Sequence, residues 1–101
     1  MAEGTAKGYW IGHVTVMNAD LYKEYVSLDT DIVARFGGRF LARGGQCEVP
    51  EGEAQQRHVV VEFPDYATAV ACYHSEEYQS AAVIRKANAV STFVLVEGVA
   101  P

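Results

Sequence analysis

The sequence has few cysteines and no pair of them at metal-binding spacing. Cys47 and Cys72 are its two cysteines, and neither a Cys-x-x-Cys nor a His-x-x-x-His pair occurs. A metal site is therefore not indicated, and we expect none. Because nothing in the sequence points to an oxidising compartment, a structural disulfide is not predicted either. We expect Cys72 to pack within a helix and Cys47 to be an ordinary loop thiol.

Runs of basic residues and long apolar segments are also missing. The formal net charge is -5, whereas proteins that bind phosphate backbones need clustered Lys and Arg. We therefore expect no nucleic-acid partner and no attraction to anionic membranes. No stretch approaches the roughly 18 apolar residues of a membrane span. Residues 1–8 are small and polar without an apolar signal segment, which predicts a flexible lead-in and a cytoplasmic protein.

The sequence motifs of common cofactor sites are absent as well. No Gly-x-Gly-x-x-Gly opens a helix after the first predicted strand, so dinucleotide binding is not expected. No Gly-Lys-Ser/Thr follows the Gly-Gly pairs, so these pairs do not make a phosphate loop. A haem would need an axial ligand, and His13, His58 or His74 could provide one only by coincidence. We expect the protein to use no cofactor.

Hydrophobic residues, by contrast, make up half of the 101-residue chain. A chain of this length folds as one domain with a thin core. We assign residues 9–98 to that domain and residues 99–101 to a C-terminal tail. So high a hydrophobic fraction in so short a chain also suggests a second buried surface, as in an obligate oligomer.

Side-chain periodicity predicts the order strand, helix, strand, strand, helix, strand. The strands are predicted at residues 9–17, 38–43, 57–63 and 92–97. The first helix follows a cap at Asn18 or Asp20 and ends before Gly37. Its apolar stripe is Leu21, Tyr25, Leu28, Ile32 and Phe36. The second helical region begins after Asp65 and restarts at Ser75, and its later stripe is Tyr78, Ala82, Arg85 and Ala89.

This order is typical of an α+β, ferredoxin-like βαββαβ sandwich. Its four-stranded antiparallel sheet carries the helices on one face. The other face would be bare in a monomer, and a second sheet is the simplest cover for exposed apolar surface. We therefore predict that the protein's partner is itself, in a homodimer with facing sheets.

Several segments together resemble one known family. They are KGYWI (7–11), DLYKEY (20–25), RFLARGG (39–45), EG (51–52), VVVEFP (59–64), ACYHS (71–75), EYQ (77–79), Arg85 and VEG (96–98). The pattern spans residues 7–98 and resembles the domain-of-unknown-function family numbered 1330, within the dimeric α/β-barrel superfamily. Glu76 departs from this pattern, because the family often has proline there, and this alters the start of the helix.

The resemblance implies a ferredoxin-like protomer and a dimer that forms a barrel. The family has no established activity. Its superfamily includes cofactor-independent monooxygenases, small isomerases, haem-degrading enzymes and stress-response proteins. A shared fold therefore does not decide the function of this chain.

His13 is the candidate proton-transfer residue. It lies mid-strand between Ile11 and Thr15, so its ring should project into partly apolar surroundings, where a histidine can act as a base. Glu62 lies on the third strand, which neighbours the first in this fold, and a contact with His13 would fix the imidazole tautomer. The alternatives are a buried histidine with one hydrogen-bond partner, and a salt bridge from Glu62 to Arg57, Arg43 or Arg39.

Two arginines are the candidate anion-binding pair, because guanidinium groups hold carboxylates in bidentate geometry. Arg43 ends the second predicted strand, where strict alternation places it on the same face as Arg39. Arg85 shares a helix face with Tyr78. Tyr73 and Tyr78 flank a helix break, which suits them to line a cleft. The alternatives are a structural bridge for Arg85 and core packing for the tyrosines.

Our preferred interpretation is binding, or conversion without a cofactor, of a small organic anion in a pocket between sheet and helices. The residues assigned to this pocket are the anion-binding pair, the proton-transfer pair and the wall tyrosines: Arg43, Arg85, His13, Glu62, Tyr73 and Tyr78. One alternative is a non-enzymatic ligand-binding or stress-associated dimer. Another is a cofactor-independent monooxygenase of aromatic compounds, with a larger apolar cavity lined by Trp10 and the tyrosines.

Overall fold

The computed structural model describes residues 5–101 as four strands and three helices. In chain order these are β1 (Gly8–Val16), α1 (Ala19–Arg35), β2 (Arg39–Arg43), β3 (Arg57–Phe63), α2 (Tyr66–His74), α3 (Glu76–Asn88) and β4 (Ala89–Glu97). The predicted order of strands and helices is confirmed, and the architecture is the α+β, ferredoxin-like fold that this order indicates.

Helix α1 begins where its sequence predicts but buries a different face. Asn18 is the N-cap, and its side-chain oxygen accepts a hydrogen bond from the backbone N–H of Leu21 at 3.1 Å. The buried residues are Tyr22, Tyr25, Asp29, Ile32 and Val33. Leu21 and Leu28 are exposed, so the predicted stripe is wrong at these two positions. Helical spacing fits both stripes, and the observed one places two tyrosines inside, which buries more area.

Helices α2 and α3 begin at their predicted caps. Asp65 accepts a hydrogen bond from the backbone N–H of Thr68 at 2.7 Å, and the Ser75 hydroxyl accepts one from the N–H of Tyr78 at 3.1 Å. Both side chains satisfy N–H groups that have no partner within the helix. The caps therefore fix where the two helices start.

Strand β4 begins earlier than predicted. Ala89 follows α3 directly and pairs with Val16, so the strand starts ahead of Thr92. The carbonyl of Asn88 accepts a hydrogen bond from the N–H of Met17 at 2.8 Å, which joins the end of α3 to the end of β1. We predicted Ala89 as part of the helical stripe, and this is wrong because its pairing partner is distant in sequence.

The four strands form one antiparallel sheet in the order β2-β3-β1-β4. Trp10 and Val14 of β1, together with Val61 and Phe63 of β3, are buried beneath the helices. The ring centroid of Trp10 lies 4.8 Å from that of Tyr78 and 5.1 Å from that of Phe63. The core is therefore an aromatic cluster between the helices and one face of the sheet.

The opposite face of the sheet, called the open face below, carries the alternate residues of each strand. On β4 these include Val90, Val94 and Val96, which are 51%, 46% and 42% exposed. A row of half-exposed valines on a sheet surface is typical of an interaction surface. This is the face that the sequence predicts to meet a second copy.

A β-bulge in β2 changes the direction of Arg43. The pairing register with β3 shifts between Phe40 and Ala42, so alternation is broken at this point. Strict alternation placed Arg43 with Arg39 and opposite Phe40, and this prediction is wrong. The Arg43 guanidinium lies 3.7 Å from the ring centroid of Phe40. Both side chains therefore face the helices.

Candidate functional site

A small cavity lies between the sheet and helix α1. Its volume is about 10 Å³, room for about one water molecule. It is lined by Trp10, Tyr22, Tyr25, Val26, Asp29, Phe40, Arg43, Arg57, Val59, Val61 and Phe93. An open surface groove of about 360 Å³, the outer groove, shares Tyr22, Val26 and Arg57 with this cavity. These three side chains therefore separate the cavity from the surface.

Arg43 and Asp29 form an ion pair in the cavity wall. Arg43 Nη2 lies 3.3 Å from Asp29 Oδ2 and also donates a hydrogen bond to the backbone carbonyl of Val26 at 3.3 Å. Asp29 is 5% exposed. Its Oδ1 is buried and has no hydrogen-bond partner among residues 5–101. One carboxylate oxygen of this cavity-lining residue therefore has no partner in the described part of the chain.

Burial raises the pKa of Asp29 from 3.8 to about 6, and the guanidinium groups of Arg43 and Arg85 act in the opposite direction. This carboxyl group therefore titrates close to neutral pH, where a side chain is most useful for proton transfer. The sequence did not single it out, because an aspartate in an amphipathic helix is usually solvated. Its spacing of four from Tyr25 and three from Ile32 could have placed it on the buried face.

Arg85 is buried on α3, with 3% of its surface exposed. Its Nη1 donates a hydrogen bond to the Ser91 hydroxyl, and its Cζ lies 4.2 Å from the ring centroid of Phe93. Its Nε and Nη2 are buried without a well-aligned hydrogen bond in the described part of the chain, although the Tyr78 hydroxyl lies near enough for the guanidinium to oppose the rise in the pKa of Tyr78. Unpaired donors on a buried cation are rare in native proteins. This environment makes Arg85 a candidate for a role beyond the packing of the core.

The predicted wall tyrosines lie one layer behind the cavity. Tyr78 is fully buried, and its hydroxyl is 2.6 Å from that of Tyr25, which lines the cavity. Tyr73 packs against both Tyr78 and Phe93, with ring centroids 5.3 Å and 6.1 Å apart. Burial raises the pKa of Tyr78 to about 12, against the effect of Arg85. The cavity is therefore not lined by Tyr73, Tyr78 or Arg85, which contact its lining residues from behind. The prediction that the two tyrosines form the wall of the pocket is wrong in this respect.

Arg57 brings a second guanidinium to the cavity, in addition to that of Arg43, and the sequence pointed to it only as a salt-bridge partner. It begins β3 and lines both the cavity and the outer groove. Its Cζ lies 5.9 Å from the ring centroid of Tyr22, and its Nε is buried without a partner within residues 5–101. A Cβ at Gly44, where φ is 73°, would collide with the guanidinium. Gly44 therefore leaves the space that Arg57 occupies.

His13 lies on the open face, away from this cavity. In the register of β1 with β3 it stands opposite His58, and the two Nδ1 atoms are 2.6 Å apart. Glu62 stands opposite Tyr9, whose hydroxyl donates to it at 3.3 Å, and it also accepts from Arg39 Nε at 3.2 Å. The predicted His13–Glu62 contact is therefore wrong, because their positions in the register differ by four residues.

The sheet separates the predicted proton-transfer pair from the predicted anion-binding pair. His13 and Glu62 project from the open face, whereas Arg43 projects towards the helices. A surface groove of about 580 Å³ lies beside His13 and Thr92, under the loop between β2 and β3. The single predicted pocket is thus two separate features, and a ligand beside Arg43 has Asp29 rather than His13 as its nearby titratable group.

Potential metal ligands are dispersed in the part of the chain that the structure describes. Among residues 5–101, no group of three or more His, Cys, Asp or Glu side chains could hold a metal ion. Cys72 is buried, Cys47 is exposed, and both are free thiols. None of the helices described here has the length and apolar character needed to cross a membrane.

The sequence matches a known family model over most of its length. The model, described as Domain of unknown function (DUF1330), covers residues 7–99. The chain therefore belongs to this family, as its motifs indicated. A comparison with curated proteins finds no significant match.

Solved structures share the fold at low sequence identity. RPA0582, a protein of unknown function from Rhodopseudomonas palustris, has a TM-score of 0.69 and 19% identity, covering 95% of this chain and 85% of that chain. A dimeric ferredoxin-like protein of unknown function from Thermobifida fusca has a TM-score of 0.62 and 10% identity, covering 92% of each chain. SnoaB, a cofactor-independent oxygenase from Streptomyces nogalater, has a TM-score of 0.57 and 15% identity, covering 96% and 97%. These likenesses establish the fold and leave the activity open.

Proposed function

We propose that this protein binds a small organic anion between the sheet and helix α1, and that any conversion of that ligand proceeds without a cofactor. The observation that carries the proposal is the concentration of cations around Asp29, because Arg43 and Arg57 line the cavity with it and the buried guanidinium of Arg85 lies behind the wall. Asp29 is the carboxylate that lies among them. This surplus of positive charge lies inside a protein whose net charge is -5.

Such a surplus favours an anionic ligand for electrostatic reasons. Charges interact more strongly in the interior than in water, because the surroundings screen them less. Lys23 and Arg57 line the outer groove, so the positive potential extends to the surface and would draw an anion inwards. The anion would then be held by Arg43, with Arg85 behind the wall.

The size of the two spaces restricts how such a ligand lies. The cavity of about 10 Å³ accepts one polar group, and the outer groove of about 360 Å³ accepts the rest of a small molecule. A rotation of the Arg57 or Tyr22 side chain would join the two spaces. The aromatic rings around the cavity suit a flat ligand.

We also propose that the protein is a homodimer paired through the open face. Support comes from the half-exposed valines of β4 and from the fold shared with the dimeric protein of Thermobifida fusca. His13 and Glu62 would then lie in the interface and not in the anion site. The cytoplasm is the proposed location, with which two free cysteines agree.

A thermal-shift screen with small carboxylates and acidic phenols tests the anion site. A ligand at about 100 times its Kd stabilises the native state by about 2.7 kcal/mol. The shift should disappear in Arg85→Met. It should persist in Arg35→Met, because Arg35 is exposed and pairs with Glu77 on the helical surface. A shift that is unchanged in Arg85→Met would show that the ligand binds elsewhere, and a screen without any shift would leave a non-enzymatic scaffold as the better interpretation.

A second candidate function is a cofactor-independent monooxygenase of aromatic compounds. It is favoured by the aromatic lining, which includes Trp10, Phe40 and Phe93, and by the fold shared with SnoaB, a cofactor-independent oxygenase. Oxygen consumption with a panel of phenols and no added cofactor tests it. An oxygen electrode trace that matches the phenol-only control would count against this function, while the thermal-shift result would decide the anion site independently.

A further inference from the structure

We propose that Asp29 accepts the proton of a hydroxyl group on the ligand, and that the site therefore takes weak acids of the phenol or enol class. This inference rests on the proposed function, because it names the ligand class and the proton acceptor of the same site. The sequence pattern did not assign Asp29 any role.

The geometry of Asp29 supports the role of proton acceptor. Its Oδ2 accepts a hydrogen bond from Arg43 Nη2 at 3.3 Å, which anchors that oxygen. Its Oδ1 is buried, has no hydrogen-bond partner in residues 5–101 and belongs to a residue that lines the cavity. A carboxylate with one oxygen anchored and the other unpaired can receive a hydrogen bond from a donor in the cavity. The donor must come from the ligand or from solvent.

The volume of the cavity selects a hydroxyl group. About 10 Å³ accommodates one oxygen atom with its hydrogen. A carboxylate group has two oxygens and no proton to donate at neutral pH, and it would be repelled by Asp29 at close range. A phenol or enol has one oxygen and one proton, and its ring or chain can extend past Tyr22 and Arg57 into the outer groove.

The surroundings of Asp29 suit proton transfer near neutral pH. Burial raises the pKa of this group to about 6, so it is ionised at pH 7 and is a stronger base than an exposed aspartate. Two charged side chains lower its pKa, Arg43 of β2 and Arg85 of α3. Asp29 in turn raises the pKa of the titratable groups packed near it, which are Tyr22 and Tyr25 of α1, Cys72 of α2 and Tyr78 of α3. The two cations are the groups that would stabilise the ligand's oxyanion.

The transfer balances without any other reactant. The O–H bond of the ligand breaks, and a new O–H bond forms at Asp29 Oδ1. The electron pair stays on the ligand oxygen, which becomes an oxyanion beside Arg43. Because the proton remains within the complex, binding of a neutral weak acid at pH 7 should produce the ligand anion with no net release of protons.

The probe for this prediction is 3-nitrophenol, which is un-ionised at pH 7 and yellow as its anion. The wild-type protein should bind it with the yellow colour of the anion, while calorimetry in two buffers of different ionisation enthalpy shows no proton released. In Asp29→Asn, either the bound phenol should stay colourless or about one proton per ligand should enter the buffer. The methyl ether 3-nitroanisole cannot donate a proton, and the wild type should bind it about tenfold more weakly or not at all.

Each result decides the inference. A colourless phenol bound to the wild type, equal proton release by wild type and Asp29→Asn, or an ether that binds as tightly as the phenol would overturn it. The ether comparison uses only the wild type, so it holds even if Asp29→Asn fails to fold. If these signatures fail while carboxylates still raise the Tm in a manner that depends on Arg85, the anion site stands without the proton acceptor. If neither carboxylates nor phenols bind, the proposed function itself is wrong.

Discussion

Replacement of Arg85 by methionine should cost the protein little stability although the side chain is 3% exposed. The substitution removes a charge-assisted hydrogen bond to Ser91, worth about 1.5–3 kcal/mol. It also removes the contact with the ring of Phe93, worth about 0.5–2 kcal/mol. Against these losses stand two buried nitrogen atoms without partners, each of which costs about 1–3 kcal/mol. Methionine has a similar length and no polar group to desolvate.

These contributions nearly cancel, so the free energy of unfolding should change by less than about 1 kcal/mol. For a chain of this size, that corresponds to a change in Tm of less than roughly 8 °C. Asp29 keeps its ion pair with Arg43 in the variant. The ligand-induced thermal shift should nevertheless disappear. Such a combination is typical of a residue kept for function at the expense of stability.

Urea unfolding at one fixed protein concentration measures the change, because the proposed dimer would unfold in a concentration-dependent way. Ile32→Ala provides the comparison, since removal of this buried side chain should cost about 2–5 kcal/mol. If Arg85→Met loses more than about 3 kcal/mol, the guanidinium is a structural part of the core and the reasoning fails. A variant that keeps both its stability and its ligand shift would refute the anion site.

The pH dependence of stability should reveal Asp29. Because burial raises its pKa from 3.8 to about 6, the stability it contributes is complete below about pH 4 and is lost as the pH rises through about 6. As the pH rises from 4 to 8, the free energy of unfolding of Asp29→Asn should therefore increase relative to that of the wild type by about 2–3 kcal/mol. A difference in urea midpoints between the two proteins that stays the same at both pH values would contradict this. Gly8→Ala should lose about 1–3 kcal/mol by urea unfolding, because a Cβ would lie 2.6 Å from a backbone atom of α2. Gly45→Ala, which meets no atom within 4 Å, should change little, and equal losses for the two glycine variants would be the contrary result. Val94→Glu on the open face should convert the proposed dimer to a monomer, as measured by light scattering. Val83→Glu, at an exposed position of α3, should not. A dimeric Val94→Glu would argue against pairing through this face.

Local sequence patterns were sufficient to predict the elements and their order. The caps at Asn18, Asp65 and Ser75 and the three valines of β3 act over a few residues, and the structure shows all of them where they were predicted. Capping oxygens bind N–H groups in the next turn, and β-branched side chains favour extended backbone whatever the rest of the fold does. The family could be predicted for the same reason, because its motifs lie along the chain.

The candidate site depended on contacts between distant parts of the chain. A bulge in β2, formed by pairing with β3, turns Arg43 towards the helices. The register of β1 with β3 places His13 opposite His58 rather than near Glu62. A strand's alternation predicts faces only while its pairing is regular, and register is set by partners far away in sequence.

Cap chemistry, periodicity and motif residues are local properties, so they were enough to identify a ferredoxin-like chain of the DUF1330 family. The inward direction of Asp29 depends on packing, because two stripes of α1 have equal helical spacing and contacts with the rest of the fold chose between them. Folding also brings Arg43 and Arg57 to one small cavity and places Arg85 behind its wall, against Phe93. These charges come from three separate elements, so they can act on a common ligand only after the chain has folded and excluded the water between them.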